Sequence, residues 1–384
     1  MEKESFMKPH VTIAACENYL RDTVSAALEE VINPIAGLDW VKPGMNIVVK
    51  PNLVMFKKPD AAATTHPAVV AGVCRMLIKR GARVVVGDSP GGTYNAPLVN
   101  AVYAATGMAL AEREGAELNR DFGQATACNP SAYRAKEIRY TSYLDKADAI
   151  IDVCKLKTHG MMGLSGAVKN MFGTVPGTVK PEYHYRYPDT LDFAHAIVDI
   201  EEYFKPRLVI VDAVVGMEGN GPTAGTPRSL GALIASTNAH WADLVCAELI
   251  GLEPDRIPTI VAAQQRGLAP QSVHDLAIHG SLQAFSKPDF LKLPTRSVGQ
   301  LAGKSPLVKK ALTACLASYP DVMEESCVGC GECLRMCPAN AIIIKDKKPR
   351  IRRSVCIRCF CCQEFCPCGA MKSHRTLVAR FLGK

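Results

Sequence analysis

Short apolar runs alternate with helix-length amphipathic stretches over residues 10–280. Buried strands are predicted from the apolar runs at 10–15, 46–50, 83–88, 149–153, 207–213 and 232–236. Helices are predicted from the amphipathic stretches at 67–80, 98–114, 190–204, 239–250 and 255–266. This alternation is typical of an α/β domain with a mostly parallel sheet covered by helices.

The pattern weakens after residue 284, where Pro, Lys and Ser become frequent around one helix-like stretch at 307–317. We therefore predict an α/β domain over 1–284, a linker with a short helix over 285–320 and a small second domain over 321–384. No apolar stretch approaches the ~18 residues of a membrane span. The first ten residues lack the apolar segment of a signal peptide, so we expect a cytoplasmic protein without a membrane span.

The second domain is marked by its cysteines, because ten of the 16 in the chain fall between Cys327 and Cys368. "CVGCGECLRMCP" and "CIRCFCCQEFCP" share the spacing C-x2-C-x2-C-x3-C-P. In such a run three thiolates bind one 4Fe–4S cluster, and the fourth binds the other cluster. The predicted ligands are Cys327, Cys330, Cys333 and Cys366 for one cluster, and Cys356, Cys359, Cys362 and Cys337 for the other.

This double run resembles the bacterial two-cluster ferredoxin domain, a small α+β fold, over about the last 60 residues. Zinc sites, the alternative, use paired C-x2-C knuckles instead of two runs of four. Cys361 and Cys368 lie outside the repeat. Since Cys361 is adjacent to Cys362, either sulfur could be the ligand, and the spacing favours Cys362.

The cysteine-rich end also carries the excess positive charge. Residues 327–384 hold 12 Lys and Arg against 3 Asp and Glu, which leaves 33 against 34 for the rest of the chain. A cationic surface attracts acidic proteins, so we expect a small acidic redox partner of the ferredoxin or flavodoxin type. The alternative is a solvated surface that only keeps the domain soluble. No nucleic-acid module is evident, and we expect no nucleic-acid partner.

A second chemical motif, "KLKTHGMMGLSGAVKNMFG" at 155–173, follows the predicted strand at 149–153. It brings Lys155, Lys157, His159 and Lys169 together with four glycines. The amides around Gly163, Ser165 and Gly166 could bind an anion, with Lys169 adding charge at a helix start. The alternative is a tight strand-to-helix connection with a capping Ser and an exposed Lys.

Polar residues also follow two other predicted strands: Lys50 and Asn52 after one, Asp88 after another. Ligands of open α/β sheets bind outside the carboxyl ends of the strands, so these loops and the 155–173 stretch could share one crevice. Asp88 could orient a hydroxyl or a metal-bound water, or simply form a turn. We expect the crevice to hold an anionic small molecule or a phosphate-bearing cofactor.

Five segments together resemble the family called domain of unknown function 362, over residues 8–280. They are "IVVKPNLV", "THPAVVAGVCRMLIKRGA", "VGDSPGG", the 155–173 stretch and "GMEGNGP". That family is similar to the nickel-dependent lactate racemases. The resemblance implies that His159 is a catalytic His and that Lys169 holds a nickel nucleotide. It also places His184 near a nickel-ligand position, for which a packing role is the alternative.

A racemase needs two bases, and no second His lies in the segment where that family places its partner base. A redox reaction is therefore favoured. We predict an iron–sulfur oxidoreductase that passes electrons through two 4Fe–4S clusters to an anionic group, with His159 moving protons. The alternatives are a non-enzymatic electron carrier or assembly factor, and an isomerase with a nickel nucleotide on Lys169.

Overall fold

The computed structural model describes residues 10–292 and 318–374. The strands are β1 Val11–Ala15, β2 Asn46–Pro51, β3 Arg83–Val86, β4 Glu117–Leu118, β5 Gln124–Cys128, β6 Glu137–Thr141, β7 Ala149–His159, β8 Gly163–Ser165, β9 Leu208–Glu218, β10 Thr226–Ser236, β11 Ile278–His279, β12 Tyr319–Val322, β13 Ile342–Lys345, β14 Lys348–Ile351 and β15 Met371–His374. The α-helices are α1 Arg21–Ile32, α2 Pro67–Ile78, α3 Ala96–Thr106, α4 Ala109–Arg113, α5 Ala167–Asn170, α6 Lys180–Arg186, α7 Thr190–Phe204, α8 Ala239–Leu249, α9 Pro258–Gln265, α10 Leu282–Phe285, α11 Glu332–Arg335 and α12 Cys361–Glu364.

Nine strands form one mixed sheet in the order β11-β1-β10-β9-β7-β2-β3-β4, with β8 attached to β7. Most neighbours are parallel, from β9 through β7, β2 and β3 to β4. β10 runs antiparallel to both β1 and β9, and β8 is antiparallel to β7. The predicted fold class, a mostly parallel sheet covered by helices, is confirmed.

All six predicted strands belong to this sheet, but the central one is much longer than predicted. β7 continues to His159, and all 11 of its residues are buried. Its lysines do not end the strand, because they point into the protein toward internal acceptors. The helix predicted at 98–114 is two helices, divided at Gly107 (φ 74°). α1 and α6 were not predicted.

Helices and loops cover both faces of the sheet, and each face has its own apolar core. Because strand side chains alternate, Ile151 and Val153 of β7 pack on the face covered by α1 and α2. Cys154 and Leu156 pack on the opposite face, which α7, α8 and α9 cover. Lys155, Lys157 and His159 follow the alternation of Ile151 and Val153, toward the end of β7 where the parallel strands finish.

The cysteine-rich end forms two small antiparallel pairs, β12 with β15 and β13 with β14, together with α11 and α12. Packing of the α/β region continues past residue 284, since Phe290 is buried in its core and the Leu291 amide donates to Glu218 (2.9 Å). The domain boundaries stay a prediction, and the helix predicted at 307–317 lies outside the described residues. Within 10–292 and 318–374, no helix is long and apolar enough to cross a membrane.

Candidate functional site

The four lysines predicted to lie near the end of β7 differ in how their positive charge is balanced. Lys50, fully buried, pairs with Asp88 (2.8 Å). Lys155 pairs with Asp212 (2.9 Å) and also donates to the hydroxyl of Tyr19 (3.0 Å). Because buried charges are stable only when paired and hydrogen-bonded, these two lysines help to hold the carboxyl ends of the strands together.

Asp88 has both carboxylate oxygens engaged within the protein. One oxygen faces Lys50, and the other accepts a hydrogen bond from the Leu53 amide (2.7 Å). Gly173 lies directly over this pair, since a Cβ on it would come within 2.2 Å of Asp88. Asp88 therefore joins two strand ends, and its role toward a ligand stays a prediction.

Lys157 is buried but has no carboxylate within ion-pair distance among the described residues. Its ammonium donates to Asn52 Oδ1 (3.1 Å) and to the carbonyl of Ala63 (2.6 Å). Burial, together with the nearby Lys169, lowers the pKa of Lys157 to about 7. A lysine that is partly uncharged near neutral pH can bind an anion or exchange a proton, so Lys157 is suited to the chemistry of a site.

His159, at the end of β7, is fully buried and its tautomer is fixed by the backbone. Its Nδ1 accepts hydrogen bonds from the amides of Met161 and Met162 (3.1 Å each), so the ring proton is on Nε2. Nε2 lies 2.7 Å from a carboxylate oxygen of Glu364, to which it donates. Burial, with Lys169 nearby, lowers the pKa of His159 to about 4, which leaves the imidazole neutral.

Glu364 is the principal site residue that the sequence did not reveal. It belongs to α12 in the cysteine-rich region, 205 residues after His159, and Lys169 lies 4.0 Å from the same oxygen. Burial alone would raise its pKa, but Lys169 and His159 hold it well below the usual range. No local signal near Glu364 distinguishes it from a surface Glu, because its partners are distant in the chain.

The turn at Gly163, Ser165 and Gly166 has a different structure from the predicted anion cradle. Gly163–Ser165 is a strand paired with β7, and the next amides, Ala167 and Val168, donate to the carboxylate of Asp243 (2.6 and 3.2 Å). A Cβ on Gly166 would lie 1.9 Å from Asp243. These two amides lie just beyond the predicted cradle, and they bind an internal carboxyl group that fixes the short helix carrying Lys169.

His184 is buried beside the same group. Its ring stacks on Phe193 (4.1 Å between centroids) and meets the edge of Phe172. Its Nδ1 has no hydrogen-bond partner among the described residues. Burial lowers the pKa of His184 to about 3, with Glu364, Lys169 and His159 as its charged or titratable neighbours. The structure thus brings the three residues of the nickel hypothesis together, while the aromatic packing supports the alternative role.

The cysteine-rich region docks on the α/β region through α12 and the residues after it. The side chain of Gln363 is fully buried and donates to the carbonyls of Asn220 and Gly221 (3.3 Å each). Phe365 packs on Gly91, where a Cβ would lie 2.2 Å from its ring. Lys57 donates to the carbonyl of Pro367 (3.2 Å). Three consecutive side chains, at 363, 364 and 365, therefore face the α/β region.

The eight predicted cluster ligands come together in the two crossed sets. The first set, Cys327, Cys330, Cys333 and Cys366, lines one cavity. Burial and the other three thiolates of this set raise the pKa of Cys333 to about 11. In the second set, burial together with Cys359, Cys356 and Cys337 raises the pKa of Cys362 far above its usual value. Four convergent sulfurs in each set fit a 4Fe–4S cluster, and the assignment of single ligands stays a prediction.

Each set has one further thiol beside it. Cys368 Sγ lies 3.7 Å from Cys366 Sγ, and Cys361 is fully buried next to Cys359. The choice between Cys361 and Cys362 stays a prediction, and the proximity of Cys362 to the sulfurs of both runs supports it.

Comparison with known proteins identifies the class of both regions. Residues 320–367 match the model of the 4Fe-4S dicluster domain, so the chain is an iron–sulfur protein. Residues 47–248, just over half of the chain, match the model described as Domain of unknown function (DUF362). The chain belongs to the DUF362 family and carries a 4Fe–4S dicluster domain at its C-terminal end.

One curated relative is the thylakoid-associated protein sll1697 of Synechocystis sp., which is 30% identical over 267 residues. The match covers 69% of this chain and 81% of that protein.

Two solved structures are also similar. The lactate racemase apoprotein from Thermoanaerobacterium thermosaccharolyticum is 13% identical with a TM-score of 0.42, and covers 64% of this chain. A structural-genomics protein from Thermotoga maritima is 14% identical with a TM-score of 0.35, and covers 56%. The chain spans only 57% and 55% of these two structures. Neither likeness bears on activity, and the nickel-nucleotide isomerase stays a prediction.

Replacement of single cysteines should identify the ligands. We expect Cys362→Ala to lose one cluster, so that iron falls from about eight to about four per chain, while Cys361→Ala keeps about eight. Iron analysis of anaerobically purified variants measures this. Loss of iron in Cys361→Ala, with full iron in Cys362→Ala, would assign the ligand to Cys361.

Replacement of Glu364 should loosen the end of β7. A hydrogen bond to a charged partner contributes about 1.5–3 kcal/mol, so Glu364→Ala should speed amide exchange at Met161 and Met162 by roughly ten-fold or more. Hydrogen–deuterium exchange followed by mass spectrometry measures the change. The matched control is Glu332→Ala, which removes the exposed Glu from the other cysteine run. Equal exchange in both variants would mean that the Glu364 contact does not hold this segment.

Proposed function

We propose that the chain is an oxidoreductase that receives electrons from a small acidic redox protein and delivers them to an anionic substrate or cofactor at Lys157, His159 and Lys169. When bound, the two 4Fe–4S clusters would supply one-electron oxidation and reduction. The observation that carries the proposal is the contact between His159 and Glu364. Glu364 lies two residues from each of the predicted ligands Cys362 and Cys366, which belong to different clusters.

The contact between His159 and Glu364 favours an oxidoreductase over a protein that only carries electrons. A simple electron carrier needs no contact between its cluster-binding segment and a buried, titratable group of another region. Here one short segment places three side chains that face the α/β region, at 363, 364 and 365, between the predicted cluster ligands Cys362 and Cys366. Reduction of an organic group consumes protons as well as electrons. Neutral His159 would donate its Nε2–H as a hydrogen bond to the bound group, and Lys157, whose pKa is lowered to about 7, would supply a proton at the same place.

The position of the Glu364 carboxylate suggests where an anionic group would bind. Lys169 and His159 already bind one carboxylate there, and Lys157 lies near enough to influence the same charge. An incoming anionic group would replace Glu364 at His159 and Lys169, so the Glu364 side chain would withdraw on binding. Lys50 and Lys155 are tied to Asp88 and Asp212, and they would hold the strand ends in place instead of contacting the ligand.

A non-enzymatic electron carrier or assembly factor is the second candidate. The observation in its favour is that Lys50, Lys155 and Lys169 are paired internally, with Asp88, Asp212 and Glu364. In that case the α/β region would serve as a platform for the dicluster domain.

Redox titration with variants should separate the two candidates. Reduced protein would be mixed anaerobically with sets of small carboxylates and phosphate esters, and cluster reoxidation followed by absorbance. We expect a responding compound to reoxidise His159→Ala at least about 100-fold more slowly, because removal of one fixed hydrogen-bond donor to the charge that develops in the reaction commonly costs about 10²–10³ in rate.

The variant must keep about eight irons per chain, and exposed His274→Ala is the matched control. Equal rates in wild-type protein and His159→Ala would contradict the proposed role of His159. If no compound reoxidises the wild-type protein, the second candidate, a non-enzymatic electron carrier or assembly factor, is favoured.

The partner surface can be tested on the hairpin of β13 and β14. It exposes Lys345 and Lys347 beside the apolar side chains of Ile343 and Ile344. We expect the double variant Lys345→Glu/Lys347→Glu to slow reduction by an acidic flavodoxin about ten-fold at low ionic strength, with a smaller effect at high salt.

Stopped-flow absorbance measures the rate. Lys42→Glu/Lys79→Glu is the control, because it makes the same charge change on exposed lysines of the α/β region. An equal effect of both double variants would mean that only the net charge matters.

A further inference from the structure

Three side chains of types that bind metal ions meet away from the candidate site, between the end of α7 and the start of α8. Glu201 and Glu202 lie in the last turn of α7, and His240 lies in the first turn of α8. His240 Nε2 is 3.1 Å from Glu201 Oε2 and 3.1 Å from Glu202 Oε1. Glu201 and His240 are at least 95% buried, while the Glu202 side chain is 26% exposed and gives access from solvent.

With protons alone, the hydrogen-bonding atoms of the triad Glu201, Glu202 and His240 are not all satisfied. A single Nε2–H can donate well to one oxygen, and it does so to Glu202, while Glu201 Oε2 has no hydrogen-bond partner among the described residues. A second ring proton would not help, because the buried Nδ1 has no acceptor within the described part of the chain and would become an unpaired N–H. Leaving a buried carboxylate oxygen unpaired is costly.

The charge is only partly balanced. A doubly protonated His240 would balance one of the two carboxylate charges, and Lys205, 3.9 Å from Glu202, has a side chain that is 76% exposed. An exposed ion pair of this kind contributes little. A divalent cation in place of the Nε2 proton would satisfy all three ligand atoms and balance both carboxylates.

The geometry suits such an ion. Metal–nitrogen and metal–oxygen bonds of about 2.1 Å allow neighbouring donor atoms to lie about 3 Å apart, close to the 3.1 Å observed for both pairs. One imidazole and two carboxylates are ligands for Zn²⁺, Mn²⁺ or Fe²⁺. We propose that Glu201, Glu202 and His240 bind a divalent transition-metal ion, separate from the iron–sulfur clusters, that ties α7 to α8.

The test uses Mn²⁺ as the probe, because it does not exchange readily into thiolate clusters. The cluster-loaded protein would be titrated with Mn²⁺ while free Mn²⁺ is followed by room-temperature EPR. We expect one ion bound per chain, displaced by Zn²⁺. Glu202→Gln keeps the shape of the partly exposed ligand and should weaken binding at least ten-fold. Glu248→Gln, an exposed change on α8, the helix that carries His240, should bind like the wild type.

A thermal melt provides the second readout, since an ion that binds only the folded state raises Tm. Mn²⁺ should raise Tm in the wild type and in Glu248→Gln but not in Glu202→Gln, with His240→Gln as a second ligand variant. The proposal is overturned if the wild type binds no Mn²⁺ at millimolar concentration and Tm does not move. It is equally overturned if Glu202→Gln and His240→Gln bind Mn²⁺ like the wild type. Those results would mean that the triad is an ion pair held by a proton.

Discussion

The contact on which the proposed function depends is the hydrogen bond from His159 to Glu364, with Lys169 beside it. It joins the end of the central strand β7 to the short helix that carries the dicluster cysteines. The bond is buried, and its donor is fixed because the amides of Met161 and Met162 occupy the other ring nitrogen. In a low-dielectric environment such a fixed, charge-assisted bond is strong and specific in direction.

The rest of the site follows from the need to bury cations at the end of a sheet. Lys155 and Lys157 point inward from β7, and a buried ammonium is stable only with acceptors at short distance. Asp212 supplies the acceptor for Lys155, whereas the acceptors of Lys157 in 10–292 and 318–374 are neutral oxygens. This difference separates the lysine that holds the fold together from the lysine whose charge responds to its surroundings.

The sequence predicts the sheet and the cluster cysteines because both signals are local. An apolar run such as 149–153 marks a buried strand wherever its partners lie, and the C-x2-C-x2-C-x3-C-P spacing carries its own geometry. The continuation of β7 to His159 was missed because lysines normally indicate exposure. Asp212, Asp243 and Glu364 were missed for a related reason: each matters only through a partner 57, 76 or 205 residues away. Single-sequence patterns do not contain such pairings.

The most direct test of the central contact is to measure how close His159 is to the clusters in solution. In protein labelled with ¹⁵N-histidine, NMR spectra would be recorded before and after anaerobic reduction, when the reduced clusters become paramagnetic. We expect the ring signals of His159 and His184 to broaden strongly on reduction, while that of exposed His274 stays sharp. If the His159 signal stays as sharp as that of His274 in both states, the dicluster domain is not seated on this site and the proposed function fails.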